Sequence, residues 1–131
     1  YEMIERWEPR SLWAGETATV VRDGETMKKT GYSPITGAYY SARLAVTEHL
    51  LRSGRCARVI VIRNVDPTYW APLGTWVVRE ATRRAMAGPP LVVPSLAGAI
   101  QQAGSLAGFP DWIHHSALVP EIRFQKTLSE F

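Results

Sequence analysis

Cysteine is nearly missing: Cys56 stands alone among 131 residues. One thiol forms no intrachain disulfide and builds no zinc ribbon or finger, a pattern that fits a reducing compartment, so the cytoplasm is the expected location. Cys56 precedes an apolar run and has no His or Cys-x-x-Cys partner nearby in sequence, and it is expected to be a small core residue rather than a reactive thiol. Histidine is scarce as well. His49 is isolated, and the adjacent His114 and His115 would point about 100° apart on a helix, so no metal site is expected. Long apolar runs are absent: nothing approaches the roughly 18 residues of a membrane helix, and the stretch Ala57–Ile62 is already interrupted by Arg58. No membrane association is expected. The first residues, with Glu2, Glu5 and Arg6, lack the basic start and apolar run of a secretory leader. Missing too are G-x-x-x-x-G-K-[ST], G-x-G-x-x-G after a strand, G-x-S-x-G and H-E-x-x-H, which removes the common nucleotide-binding, hydrolase and metalloprotease signatures.

What remains is the composition of one soluble globular domain, 46% apolar, 21% charged and 10% aromatic. Residues 1–131 are read as a single domain. The chain starts at Tyr1 rather than Met, as expected of a processed chain or of a piece cut from a longer one. Arginine supplies twelve of the fifteen basic side chains, unevenly: eight lie between Arg43 and Arg84 against Glu48, Asp66 and Glu80, whereas residues 1–25 hold six acids against three arginines. The planar guanidinium fork suits phosphate, so an arginine-rich segment points towards nucleic acid or nucleotide; the alternative is a salt-bridged, heat-tolerant surface.

Local signals describe an α+β domain, a small sheet of an N-terminal hairpin plus a buried central strand, covered by three or more helices on one face. Thr17–Arg22 is rich in β-branched residues, Asp23-Gly24 is a hairpin-turn signal, and Glu25–Lys29 would return as the partner strand. Met3, Ile4 and Trp7 suit a further edge strand, and Ala57–Ile62 a buried one. Helices are expected from Thr36-Gly37 to about Ser53, stopped by Gly54; from Leu73 to Ala87; and from Ser95 to about Leu106, with short helical pieces starting at Pro110 and Pro120.

Two helical faces carry candidate binding residues. On the first, Arg43 falls inside an apolar arc beside Tyr39 and Tyr40; a guanidinium there needs either a carboxylate from the acidic amino-terminal segment or a ligand anion. On the second, Trp76, Arg79, Glu80 and Arg83 are spaced i, i+3, i+4 and i+7, a stripe suited to a phosphate backbone with a stacking plane; as a plain surface helix, Arg83 would lie over Trp76 and Glu80 would pair with Arg84. Asp66, in Asn64-Val65-Asp66-Pro67 behind a strand, and Glu80 are the carboxylates available to an enzymatic alternative in which Arg43 and Arg79 hold phosphate. An Asp before Pro also simply shapes a turn.

At the carboxyl terminus, Gln125, Leu128 and Phe131 are spaced i, i+3 and i+6, and the segment 121–131 resembles a sliding-clamp-binding tail, in which a glutamine anchors and one helical turn gathers an apolar plug. That motif ordinarily carries a second aromatic, and this chain stops at Phe131. The stretches Gly37-Ala38-Tyr39-Tyr40-Ser41-Ala42-Arg43-Leu44-Ala45-Val46, Pro72-Leu73-Gly74-Thr75-Trp76-Val77-Val78-Arg79-Glu80-Ala81 and Arg123-Phe124-Gln125-Lys126-Thr127-Leu128 resemble the carboxyl-terminal domain of the archaeal Nre DNA repair proteins, and the opening Tyr1–Glu5 with Trp7 and Trp13 resembles the segment that enters it. The resemblance implies a DNA-damage response protein that docks on the sliding clamp PCNA through its tail. It also implies a larger amino-terminal part, with a cysteine zinc site, that has no counterpart here, leaving no cofactor for this domain.

Overall fold

A computed structural model describes residues 1–25 and 29–125. The sheet is built around its first strand. β1 (Glu2–Trp7) lies between β2 (Thr19–Gly24), antiparallel to it, and β3 (Ile60–Val65), parallel to it. Alternation along β1 sends Met3 to one face and Ile4 to the other, and both are fully buried because each face is covered. On the Met3 face, α1 (Gly37–Ser53) and α2 (Trp76–Ala87) contribute Ala38, Tyr39, Ala42 and Val78 to the core. On the Ile4 face, α3 (Leu96–Ala107), a 3-10 helix (Pro110–His115) with the residue before it, and α4 (Leu118–Gln125) supply Ile100, Phe109, Trp112 and Val119. The architecture is α+β: a mixed three-stranded sheet between two helical layers.

The helix boundaries follow local chemistry. α1 ends at Gly54, whose left-handed φ of 62° turns its N–H back onto Leu50 O and Leu51 O. α3 starts behind Ser95, whose Oγ accepts from the Gly98 N–H at 3.0 Å. Pro110 opens the 3-10 helix as expected, whereas Pro120 is the third residue of α4. α2 begins at Trp76 rather than Leu73.

The sheet departs from expectation in several ways. Asp23 and Gly24 do not turn a hairpin; they pair with Met3 and Glu2 inside the ladder, because β1 is available as a long-range partner and outweighs the local turn signal. The expected return strand at Glu25–Lys29 is not formed at Glu25, and residues 26–28 lie outside the described residues. Met3, Ile4 and Trp7 occupy the central strand instead of an edge. The strand placed at Ala57–Ile62 runs from Ile60 to Val65 at the sheet edge, and it is half-buried over most of its length. Helices cover two faces instead of one. Cys56 is exposed in the loop before β3, not in the core, because the chain reaches the sheet only at Ile60.

Candidate functional site

Arg43 projects from α1 where the apolar arc meets the acidic amino-terminal segment. Its Nη1 donates to Glu25 Oε1 at 2.7 Å, the Tyr39 hydroxyl donates to the same oxygen at 2.9 Å, and the guanidinium carbon lies 5.2 Å from the Tyr40 ring centre. The carboxylate alternative is therefore the arrangement observed. The hydrogen bond from Arg43 holds the Glu25 carboxyl below its ordinary range against the opposing effect of partial burial, and the same bond raises the Arg43 guanidinium. Beside it, Lys29 Nζ sits 2.6 Å from Asp23 Oδ2 and 3.7 Å from the Tyr39 ring centre, a second cation on the aromatic pair.

The α2 stripe is also tied up internally. Arg83 donates to Glu48 of α1 through Nε and Nη2 at 2.9 and 2.7 Å and to Glu80 through Nη1 at 2.7 Å, while Arg79 Nε reaches Glu80 at 3.5 Å. Arg83 thus clamps α1 to α2 instead of lying over Trp76, and Glu80 pairs with Arg79 and Arg83 instead of Arg84. The paired guanidinium pulls the Glu48 carboxyl down. Trp76 keeps more than half of its surface exposed. Asp66 accepts from the backbone N–H of Thr68 at 2.8 Å and from the Thr68 hydroxyl, closing its own turn. Gln125 ends α4, where its Oε1 accepts from Arg58 Nη2. Leu128 and Phe131 lie outside the described residues. Arg52, Arg55, Arg58 and Arg84 are exposed and make no ion pair among the described residues, leaving positive charge along the end of α1, the loop after it and the outer side of α2.

A cavity of about 480 Å³ opens at the carboxyl ends of the parallel strands β1 and β3. Neither Arg43, Asp66 nor Glu80 lines it. Its floor is the Met3 face of the sheet continued to Glu5, Trp7 and Arg63. Glu5, almost fully buried, accepts from Trp7 Nε1 at 2.7 Å on one oxygen and from Arg63 Nη1 at 2.6 Å on the other. The Arg63 guanidinium carbon lies 5.3 Å from the Trp7 ring centre and 5.8 Å from that of Tyr69, so one cation is held by a carboxylate and two aromatic rings. Trp13 meets Trp7 edge-on at 6.2 Å and is 66% exposed. Opposite the sheet stand the starts of α1 and α2. They approach closely because residue 37 is glycine: a Cβ there would lie 2.6 Å from Thr75 Cγ2. Thr36, a β-branched residue at φ 62° and ψ −144°, holds a backbone conformation that ordinarily costs about 1–3 kcal/mol and lines the same cavity. Neither helix start has a side-chain cap.

The sequence suggested Trp7 for an edge strand and Trp13 only for the opening segment, and it singled out neither Arg63 nor Tyr69. The signal that would have joined them is the register: Glu5 stands opposite Arg63, which requires knowing that β1 and β3 are parallel partners. Among the described residues no group of three or more His, Cys, Asp or Glu gathers to hold a metal, and no described helix is long and apolar enough to cross a membrane.

The fold and site define a small α+β domain that carries an arginine-rich helical surface and an aromatic cavity at the strand ends. A family profile described as "Archaeal Nre, C-terminal" matches residues 24–131, and the chain belongs to that family. It is similar to DNA repair protein NreA of Archaeoglobus fulgidus, 36% identical over 113 residues that cover 86% of this chain and 29% of the relative. It is also similar to DNA repair protein NreA of Haloferax volcanii, 42% identical over 94 residues, 67% of this chain and 22% of the relative. DNA repair protein NreB of Archaeoglobus fulgidus is 36% identical over 135 residues, covering 100% of this chain and 34% of the relative. The chain thus spans about a third or less of the length of these curated relatives. No solved structure matches it.

Proposed function

We propose that this domain serves DNA repair as a binding module: it docks on the sliding clamp PCNA through the terminal Gln125-x-x-Leu128-x-x-Phe131 and contacts DNA through exposed arginines. The reading is carried by the terminal heptad, which lies inside the region matched by the family profile while three relatives bear the name DNA repair protein. Support for the DNA contact comes from Arg52, Arg55, Arg58 and Arg84, which keep their charge available where Arg43 and Arg83 have spent theirs on Glu25, Glu48 and Glu80. Guanidinium groups on such a surface bind phosphates with a strong salt dependence. The lone cysteine supports a reducing, cytoplasmic setting.

Calorimetric titration against an archaeal sliding clamp tests the docking. Wild type is expected to bind in the micromolar range, about −8 kcal/mol, and the double variant Gln125→Ala, Phe131→Ala to lose that binding while keeping its thermal transition. Equal binding by both proteins would overturn the tail assignment.

A further inference from the structure

The cavity at the strand ends is built from groups that the proposed function does not use. We infer that it receives a single nucleobase, stacked on the open face of Trp13 with its hydrogen-bonding edge turned to Glu5 and Arg63. The inference rests on the reading that this domain works on DNA. Four observations carry it. A volume near 480 Å³ falls within the roughly 300–1,000 Å³ of small-molecule sites. The Trp13 and Trp7 rings meet in a T at 6.2 Å and Trp13 is 66% exposed, leaving ring surface open for stacking at the rim.

The third observation is the polar pair on the floor. Each Glu5 oxygen accepts one hydrogen bond within the protein and retains a further lone pair; Arg63 spends one of its five N–H donors on Glu5. An acceptor and a donor side by side, flanked by Trp7 and Tyr69 in a largely apolar lining, match the edge of a nucleobase, where donor and acceptor groups also stand side by side. An aliphatic ligand would leave the pair's remaining acceptor and donor sites unused. Fourth, the starts of α1 and α2, where the N–H groups of Tyr39, Val77 and Val78 turn back to backbone carbonyls, still bring the positive ends of two helix dipoles to the same cavity, the polarity that suits the attached phosphate. The base can arrive on an unstacked strand or as a free mononucleotide, and the test separates the two.

The test is amide and indole N–H NMR of the 131-residue chain titrated with dAMP, dGMP, dCMP, TMP and a mixed-sequence ten-nucleotide single strand. The Trp7 and Trp13 indole resonances are expected to shift saturably with at least one probe, while that of Trp112, buried on the opposite face of the sheet, stays in place. Trp13→Ala and Leu73→Trp, at rim positions 66% and 54% exposed, are expected to weaken that binding at least fivefold with melting temperature retained. Shifts with mononucleotides identify a free-nucleotide site, and shifts with the strand alone a strand-borne base. Arg52→Ala with Arg55→Ala is expected to weaken the strand and leave any mononucleotide binding unchanged. No saturable indole shift with any of the five probes, or binding that both rim variants leave intact, overturns the cavity site. If the strand still binds through the arginines in that case, the DNA reading survives; if neither strand nor mononucleotide binds, both fall.

Discussion

Arg43 shows how a charge on an apolar helical arc is accommodated. Its partner Glu25 comes from the segment just after β2, and the aromatic pair Tyr39 and Tyr40 flanks the guanidinium. The need for such a partner was legible in the sequence, since a guanidinium between apolar positions demands an anion and the amino-terminal segment held the carboxylates. The pairing has a pH signature. In the fold the Arg43 hydrogen bond lowers the Glu25 pKa below its ordinary 4.5, so the native state binds fewer protons there than the unfolded chain. Its contribution is full above pH 4.5 and disappears as pH falls through the depressed value. Asp23 has the same sign: burial pushes its carboxyl up, and Lys29, Ser33 and the Gly24 N–H together outweigh that push. Both partners of the Arg43 pair are about two-fifths exposed, and solvent screening holds its worth to about 0.5–1 kcal/mol. Thermal melts from pH 6 to pH 3 are expected to show Glu25→Gln less stable than wild type at pH 6, with the gap closing towards pH 3. A constant gap would mean that the carboxylate charge is not what stabilises this corner.

Helices were legible and strand partners were not, for a reason that belongs to the elements themselves. Gly54 and Ser95 write their caps into adjacent sequence, so the stop of α1 and the start of α3 fall where expected. A strand's partner is set by contacts distant in sequence: Thr19–Gly24 has the composition of half a hairpin, yet its ladder runs to β1, and β3 pairs with β1 across more than fifty residues. The candidate cavity suffered the same loss, because its key pair, Glu5 with Arg63, is one rung of that ladder. Close helix packing is likewise silent in sequence. Gly104 looks like a weak point in α3, since glycine costs about 1 kcal/mol against alanine inside a helix. Its place in the fold reverses that reading: a Cβ at 104 would sit 3.0 Å from Pro110 Cα and 3.3 Å from both Phe109 O and Trp112 Cδ1. Backbone at Pro110 cannot move aside without shifting the 3-10 helix and the buried Trp112, whose Nε1 donates to Ile100 O at 3.1 Å. Gly104→Ala is expected to destabilise by about 1–2 kcal/mol in urea unfolding despite the gain in helix propensity. Stabilisation by the same substitution would show that the α3 contact is slack.

Across the whole molecule, the two ends of the described chain are joined by one carboxylate. Glu2, in the first strand, is 2% exposed and takes four hydrogen bonds or ion contacts: Ser116 Oγ at 2.6 Å, Ala117 N at 2.7 Å and Leu118 N at 3.4 Å from the start of α4, and Arg22 Nη2 at 3.1 Å from β2. An anion placed against the amino end of a helix satisfies N–H groups that have no intrahelical acceptor. Glu2 therefore caps α4 from more than a hundred residues away, and it fixes the helix from which the Gln125 heptad departs. Removing it leaves those donors and Arg22 without their acceptor, a loss that sets the scale at about 3 kcal/mol for Glu2→Ala. Glu2→Gln keeps one acceptor, and the Ser116 hydroxyl can turn to receive from the new amide, so about half that cost is expected. Urea unfolding ranks the three proteins, and amide exchange locates the damage. The amides of Ala117, Leu118 and Val119 are expected to exchange faster in Glu2→Ala, while those of α1 and α2 on the other face of the sheet change only with global stability. Uniform acceleration over both faces would show that Glu2 supports the sheet as a whole rather than the docking of α4. Faster exchange confined to α4 would separate the terminal helix from the rest of the fold as the part whose stability Glu2 sets.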